Sequence, residues 1–158
     1  MEIRSLVRKD RPKLLSMLIK AKAFTSEEID VAMELIDIVL KDRNQRDYTI
    51  HCLVNQQDQP MGYICYGPAP MTRGAFDLYW IVVDADFQHQ GGGSKLLDFL
   101  EDQVRQARGR MILADTSSIP QYELTQKFYL QNGFQEVARV SDYYYPGNDR
   151  ITFCKRLA

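Results

Sequence analysis

The chain has 158 residues, of which 45% are hydrophobic and 26% charged; these are ordinary values for one globular domain and argue against a disordered, collagen-like or solenoid chain. Its 20 basic residues against 21 acidic ones leave a net charge of -1, which offers no broad cationic surface to nucleic acid or anionic lipid. No apolar run follows the opening Met1-Glu2-Ile3-Arg4, and Cys52, Cys65 and Cys154 are widely spaced, so a soluble, cytoplasmic protein without disulfide framework or metal site is expected.

Residues Glu2 to Val7 alternate as a short strand, and Asp10 with Pro12 supply a helix cap and a first-turn proline. The helix that follows carries Leu14, Leu18 and Ala21 on one face. A second helix opens at Thr25, which forms a capping box with Glu28, and continues through Ile29, Ala32, Met33, Ile36, Val39 and Leu40 at helical spacing. Tyr48 to Val54 and Met61 to Tyr66 are β-branched and aromatic and are joined by a polar turn, which predicts a hairpin. Phe76 to Val83 is a longer apolar strand, expected at the sheet centre. Gly91-Gly92-Gly93 then lead into a helix with Leu97, Leu100, Val104 and Ala107. Met111 to Ala114 predicts a strand, Pro120 to Leu130 a helix closed by Asn132-Gly133, and Phe134 to Val140 and Arg150 to Cys154 two final strands around a tyrosine-rich loop. With no linker or repeat, residues 1–158 form one α+β domain with a mixed sheet.

Glycines between a central strand and a helix let backbone approach a ligand, and the helix start adds free N–H groups and the positive end of the dipole. An anion belongs there. A P-loop is excluded because the order is Gly93-Ser94-Lys95 with no glycine at the required earlier offset, and a dinucleotide fingerprint fails because Leu96 stands at its last glycine position.

Gln88-His89-Gln90-Gly91-Gly92-Gly93 resembles the Gln/Arg-x-x-Gly-x-Gly/Ala signature of the GNAT superfamily of acyl-CoA-dependent N-acetyltransferases, and Phe128-Tyr129 followed by Gly133-Phe134 resembles its second motif. The resemblance implies a three-layer α/β/α fold with a mixed sheet of six to seven strands and about four helices. It implies acetyl-CoA as co-substrate, no metal, and an amine acceptor that is either a small molecule or a peptide N-terminus; a homodimer is compatible with it. It places the coenzyme A diphosphate on the amides of Gln88, His89, Gln90, Gly91, Gly92, Gly93 and Ser94 and the pantetheine along Ile81, Val82 and Val83, with Phe128 and Tyr129 also beside the cofactor. His89 and Gln90 stand where many relatives carry an arginine, which leaves Lys95 as the nearest fixed cation.

Acetyl transfer to an amine requires an uncharged amine, a stabilised oxyanion and a proton for the departing thiolate. A phenol with an ordinary pKa of about 10 keeps its proton at pH 7, and the resemblance puts the family's acid at Tyr129. Asp77 and Asp115 are the carboxylates available as base, each equally explained as a strand-end or turn residue. His51 and His89 have suitable intrinsic pKa values, but His51 is remote from the motifs and His89 belongs to the phosphate loop. Tyr143, Tyr144 and Tyr145 resemble the tyrosine loop lining the acceptor site in family members, and the adjacent Asp142 and Asp149 suit a cationic acceptor. A rival reading is an acyl-CoA-binding or sensory domain without turnover.

Overall fold

The computed structural model describes residues Met1–Ala158. Seven strands form one mixed sheet in the order β1-β2-β3-β4-β5-β7-β6: β1 Glu2–Ser5, β2 Thr49–Val54, β3 Pro60–Pro68, β4 Ala75–Val83, β5 Met111–Ser117, β6 Gln135–Tyr145 and β7 Asn148–Arg156. Four helices accompany them: α1 Arg11–Lys20, α2 Ser26–Lys41, α3 Gly92–Gln106 and α4 Glu123–Gln131. The predicted element order holds throughout, and β4 is the middle strand. No helix is long and apolar enough to cross a membrane.

The chain divides into two compact units, Met1–Pro68 with Tyr79–Leu100, and Ala69–Leu78 with Glu101–Ala158. In the first, antiparallel β1, β2 and β3 support a core in which Leu14, Met17 and Leu18 of α1 and Ala32, Ile36 and Val39 of α2 join Cys52, Tyr63, Cys65 and Val82. Helix α2 begins where the capping box predicts, with the Glu28 N–H donating to Thr25 Oγ1 at 3.1 Å and the Thr25 N–H to Glu28 Oε1 at 3.0 Å. Asp10 departs from expectation. It precedes α1 without capping it by its side chain; instead it is buried and accepts two hydrogen bonds from the Arg4 guanidinium, at 2.8 and 2.9 Å. Its Oδ2 also accepts the Val7 N–H at 2.9 Å, so the carboxylate closes the turn before α1 while the charge-assisted bonds from Arg4 offset its burial.

In the second unit, parallel pairing of Ala75–Asp77 with Met111–Leu113 and antiparallel pairing of β5 with β7 along its whole length carry α4. Strands β3, β5, β6 and β7 outrun their predicted ends, most of all β5, which continues to Ser117 opposite Arg150, and β6, which continues to Tyr145. The tyrosine segment is therefore strand rather than loop. Tyrosines suit a pleated edge, and the reversal is confined to Pro146-Gly147, where Gly147 takes φ 87°. Pro120 opens a single 3-10 turn, Pro120–Tyr122, before α4 proper.

Candidate functional site

Strand β4 leads into the glycine loop through a short 3-10 turn, Ala85–Phe87. Asp84 fixes this turn: its carboxylate accepts the Asp86 N–H at 3.0 Å, its own N–H donates to the Met61 carbonyl at 2.8 Å, and Lys13 Nζ lies 2.7 Å from Oδ2. Lys20 of the same helix reaches Asp86 at 3.3 Å. Two lysines of α1 thus tether the segment before the loop. Burial alone would raise the Asp84 carboxyl, but the Lys13 ammonium and the Asp86 N–H outweigh it and hold it below the usual aspartate value. A carboxylate with a depressed folded-state pKa contributes stability above its unfolded value, about 3.9, and loses it as pH falls through the folded one. Asp84→Asn is accordingly expected to cost about 1–2 kcal/mol at pH 7, the low end for a bond to a charge because Lys13 is partly exposed. It is also expected to flatten the wild-type loss of stability below about pH 4; urea midpoints at pH 7 and pH 3 check both.

Beyond Gln88 the backbone turns left-handed twice, at His89 (φ 65°) and Gly91 (φ 79°). A non-glycine residue in that region is uncommon, and such turns beside helical residues gather successive amides toward one concave side, as in an anion-binding nest. The helical ladder of α3 begins with the Lys95 N–H to the Gly91 carbonyl at 3.0 Å, so the amides just before Lys95 have no partner in that ladder. A Cβ built on Gly91 meets nothing within 4 Å, whereas one on Gly92 comes within 3.1 Å of Leu53 Cδ2. Gly91 is open on its outer side, and Gly92 seats the helix on the core. Gly62 of β3 supports the neighbouring strand: a Cβ there would lie 2.8 Å from the Val82 carbonyl oxygen, so only glycine permits this approach. Val82 is buried while Ile81 and Val83 are half-buried. Lys95, the cation nearest the loop in sequence, donates to the Met1 carbonyl at 2.8 Å.

Tyr129 lies in the second unit. Its ring is buried among Phe128, Phe134 and Phe153, with centroids 5.7, 5.2 and 5.6 Å away. Burial, and after it the negative charge of Asp115, pushes its phenol above the ordinary tyrosine value. Pairing of Ala114 with Phe153 and of Thr116 with Ile151 puts these residues on the face of β5 and β7 that meets Tyr129. Asp115, paired with Thr152, falls on the opposite face, where its Oδ1 accepts the Thr152 hydroxyl at 2.6 Å. The two carboxylates considered as base therefore stand differently: Asp115 is exposed on β5, and Asp77 is half-buried on β4 opposite Leu113.

The tyrosine hairpin corrects one expectation. Asp142 accepts the Gly147 N–H at 2.8 Å, and Asp149 accepts the Asp142 N–H at 2.9 Å and pairs with Arg139 at 3.0 Å. Both carboxylates are spent inside the hairpin, so the segment is not an acidic receptor for a cation. Tyr143, Tyr144 and Tyr145 are about half exposed; Tyr143 meets Tyr144 edge to face at 5.0 Å, and the Arg150 guanidinium lies 4.4 Å above the Tyr143 ring. Arg150 went unmarked in the sequence because its significance depends on strand pairing. His51, weighed as a base, is stacked on Tyr66 and packed against Phe99 in the first unit, and burial lowers its pKa. All three cysteines are buried, and burial pushes the Cys65 thiol up to about 12 and that of Cys52 higher still, which removes both as nucleophiles at neutral pH.

A mixed seven-stranded sheet whose middle strand runs through a left-handed turn into helix α3 is the frame on which these residues sit. Residues 47–136 match the acetyltransferase (GNAT) domain model. A protein assigned to the GNAT family from Desulfovibrio desulfuricans is 36% identical over 99% of both chains, with a TM-score of 0.92. The chain belongs to the GNAT family and is an acyltransferase. More distant structures share the fold: an aminoglycoside 6'-N-acetyltransferase complexed with coenzyme A, at 18% identity over 99% of this chain and 97% of that one, TM-score 0.75; and the ribosomal-protein-S18-alanine N-acetyltransferase of Escherichia coli, at 21% identity over 99% and 94%, TM-score 0.76. Among curated proteins none matches.

Proposed function

We propose that residues 1–158 act as one cytoplasmic, acetyl-CoA-dependent N-acetyltransferase that modifies a primary amine by direct attack in a ternary complex. The open, left-handed Gly91 ahead of α3 carries this reading, since it leaves room for a diphosphate against amides outside the helical ladder. The amides from Gln88 to Ser94 would hold that diphosphate, and Ile81–Val83 the pantetheine arm. Acetyl-CoA supplies the acetyl thioester. Tyr129 would give its proton to the departing sulfur, and Asp115 or Asp77 would take one from the attacking amine. The high pKa values of the two thiols in the first unit favour direct attack over an acetyl-enzyme.

Thiol release from acetyl-CoA, followed with and without a panel of amino acids, polyamines, aminoglycosides and short peptides, tests the reading. Release that depends on an amine is expected. Release at the same rate without amine would overturn direct transfer, and the absence of calorimetric heat with coenzyme A would overturn the cofactor assignment.

A further inference from the structure

Three arginines of the chain are half-buried. Two have carboxylate partners, Arg4 with Asp10 and Asp58 and Arg11 with Asp37. The third, Arg150 on β7, has no carboxylate within 4.0 Å, and its Nε is buried without a hydrogen-bond acceptor. The Tyr143 ring covers one face of its guanidinium. Stacking of this kind orients the plane of the guanidinium but leaves its in-plane N–H groups unsatisfied, and those groups match a planar carboxylate in fork geometry. Nε is shut off from solvent and so from a ligand, which leaves the two outer Nη groups as the edge a carboxylate can reach. The carboxylates of the same hairpin do not occupy that edge, since Asp142 and Asp149 are engaged elsewhere.

The neighbours of Arg150 narrow the ligand. Strand pairing sets Arg150 opposite Ser117 and Thr152 opposite Asp115, so Arg150 and the Asp115–Thr152 pair stand on one face of the sheet, two residues apart along β7. That spacing is about 6–7 Å. Ser117 is occupied by a hydrogen bond to the Asn148 side chain, and the Thr152 hydroxyl takes only one oxygen of Asp115, so a cation and an exposed carboxylate with a second oxygen to offer stand two residues apart on this face. A positive and a negative group so placed complement a molecule that carries a carboxylate and an amine a few bonds apart.

We propose that the acceptor is an amino acid, whose carboxylate is held by Arg150 and whose amine is directed toward Asp115; this rests on the N-acetyltransferase reading above. Polycationic amines such as polyamines and aminoglycosides would meet Arg150 as a like charge.

The test compares free amino acids with the corresponding amino-acid amides in the thiol-release assay. The acids are expected to show kcat/KM about 10- to 100-fold above their amides, the range of one lost charge-assisted contact, and Arg150→Gln is expected to bring the ratio close to one. Arg150→Lys, which keeps the charge without the fork, is expected to retain part of the preference and serves if the glutamine variant fails to fold. Equal use of acids and amides, a preference for polyamines, or a preference that survives Arg150→Gln would overturn the proposal while leaving the N-acetyltransferase reading intact. If no amine supports turnover, calorimetry of N-acetylated amino acids on the coenzyme A-loaded protein decides. Binding lost in Arg150→Gln supports the proposal, and no binding overturns it. Absence of heat with coenzyme A itself overturns both readings together.

Discussion

Replacing Tyr129 by phenylalanine is expected to lower kcat by about 10²- to 10⁴-fold, the usual worth of a positioned general acid, without changing the affinity for coenzyme A. The substitution removes one oxygen and keeps the ring, so the contacts with Phe128, Phe134 and Phe153 persist and the core of the second unit should melt as before. The raised phenol pKa has two consequences. It keeps the proton on the oxygen throughout the neutral range, so the alkaline limb of the kcat profile is expected beyond the ordinary tyrosine value of about 10. It also makes the phenol a weaker acid than a free tyrosine, which at first sight disfavours transfer to a thiolate with an ordinary pKa of about 8.5. A sulfur brought beside the phenol would share its water-poor surroundings, which raise the pKa of an anion formed on sulfur as they raise that of one formed on oxygen, and so would narrow the gap. Steady-state kinetics with calorimetry on the same preparation separates the cases: an unchanged kcat removes Tyr129 from the chemistry, and a parallel loss of cofactor affinity makes it a binding residue.

Local features of this fold were legible in the sequence, and long-range ones were not. The Thr25–Glu28 capping box, the strand–glycine loop–helix passage and the left-handed Gly133 (φ 88°) depend on residues a few positions apart, and each appears where its spacing places it. Asp10 was misread because its partner Arg4 comes from β1, and nothing in the local pattern distinguishes a cap from a buried ion-pair member. Strand ends were missed for a similar reason: Thr116 and Ser117 look like a turn, yet they pair with Ile151 and Arg150. The candidate site divides in the same way. The loop motif and the Phe-Tyr pair were visible, whereas the separation of Tyr129 and Asp115 onto opposite faces of β5 follows from register. The open state of Arg150 appears only once every carboxylate around it has been assigned.

Placing a carboxylate in the glycine loop by Gly91→Asp is expected to weaken coenzyme A binding by about 10²- to 10³-fold, the equivalent of several kcal/mol of like-charge repulsion, with little loss of folding stability. The position has room, since a Cβ there meets nothing within 4 Å. Its φ of 79° costs an L-residue about 1–2 kcal/mol, aspartate being among the more tolerant, and a negative charge at the start of α3 recovers part of that through the helix dipole. The protein thus gains as a fold from the very charge that excludes a diphosphate. Gly91→Asn supplies the control, because it has nearly the same shape and backbone preference without the charge, and it is expected to bind far better than the aspartate variant. Salt sharpens the comparison: screening should relieve part of the aspartate defect and leave the asparagine variant much less affected. At Gly92 the outcome reverses, since a Cβ presses on Leu53 at 3.1 Å and a side chain is expected to cost stability first. Calorimetric titration with coenzyme A beside thermal melts of the three variants decides whether the loop grips an anion or is only a turn. Equal affinity of Gly91→Asp and Gly91→Asn at low salt would mean that no phosphate approaches these amides.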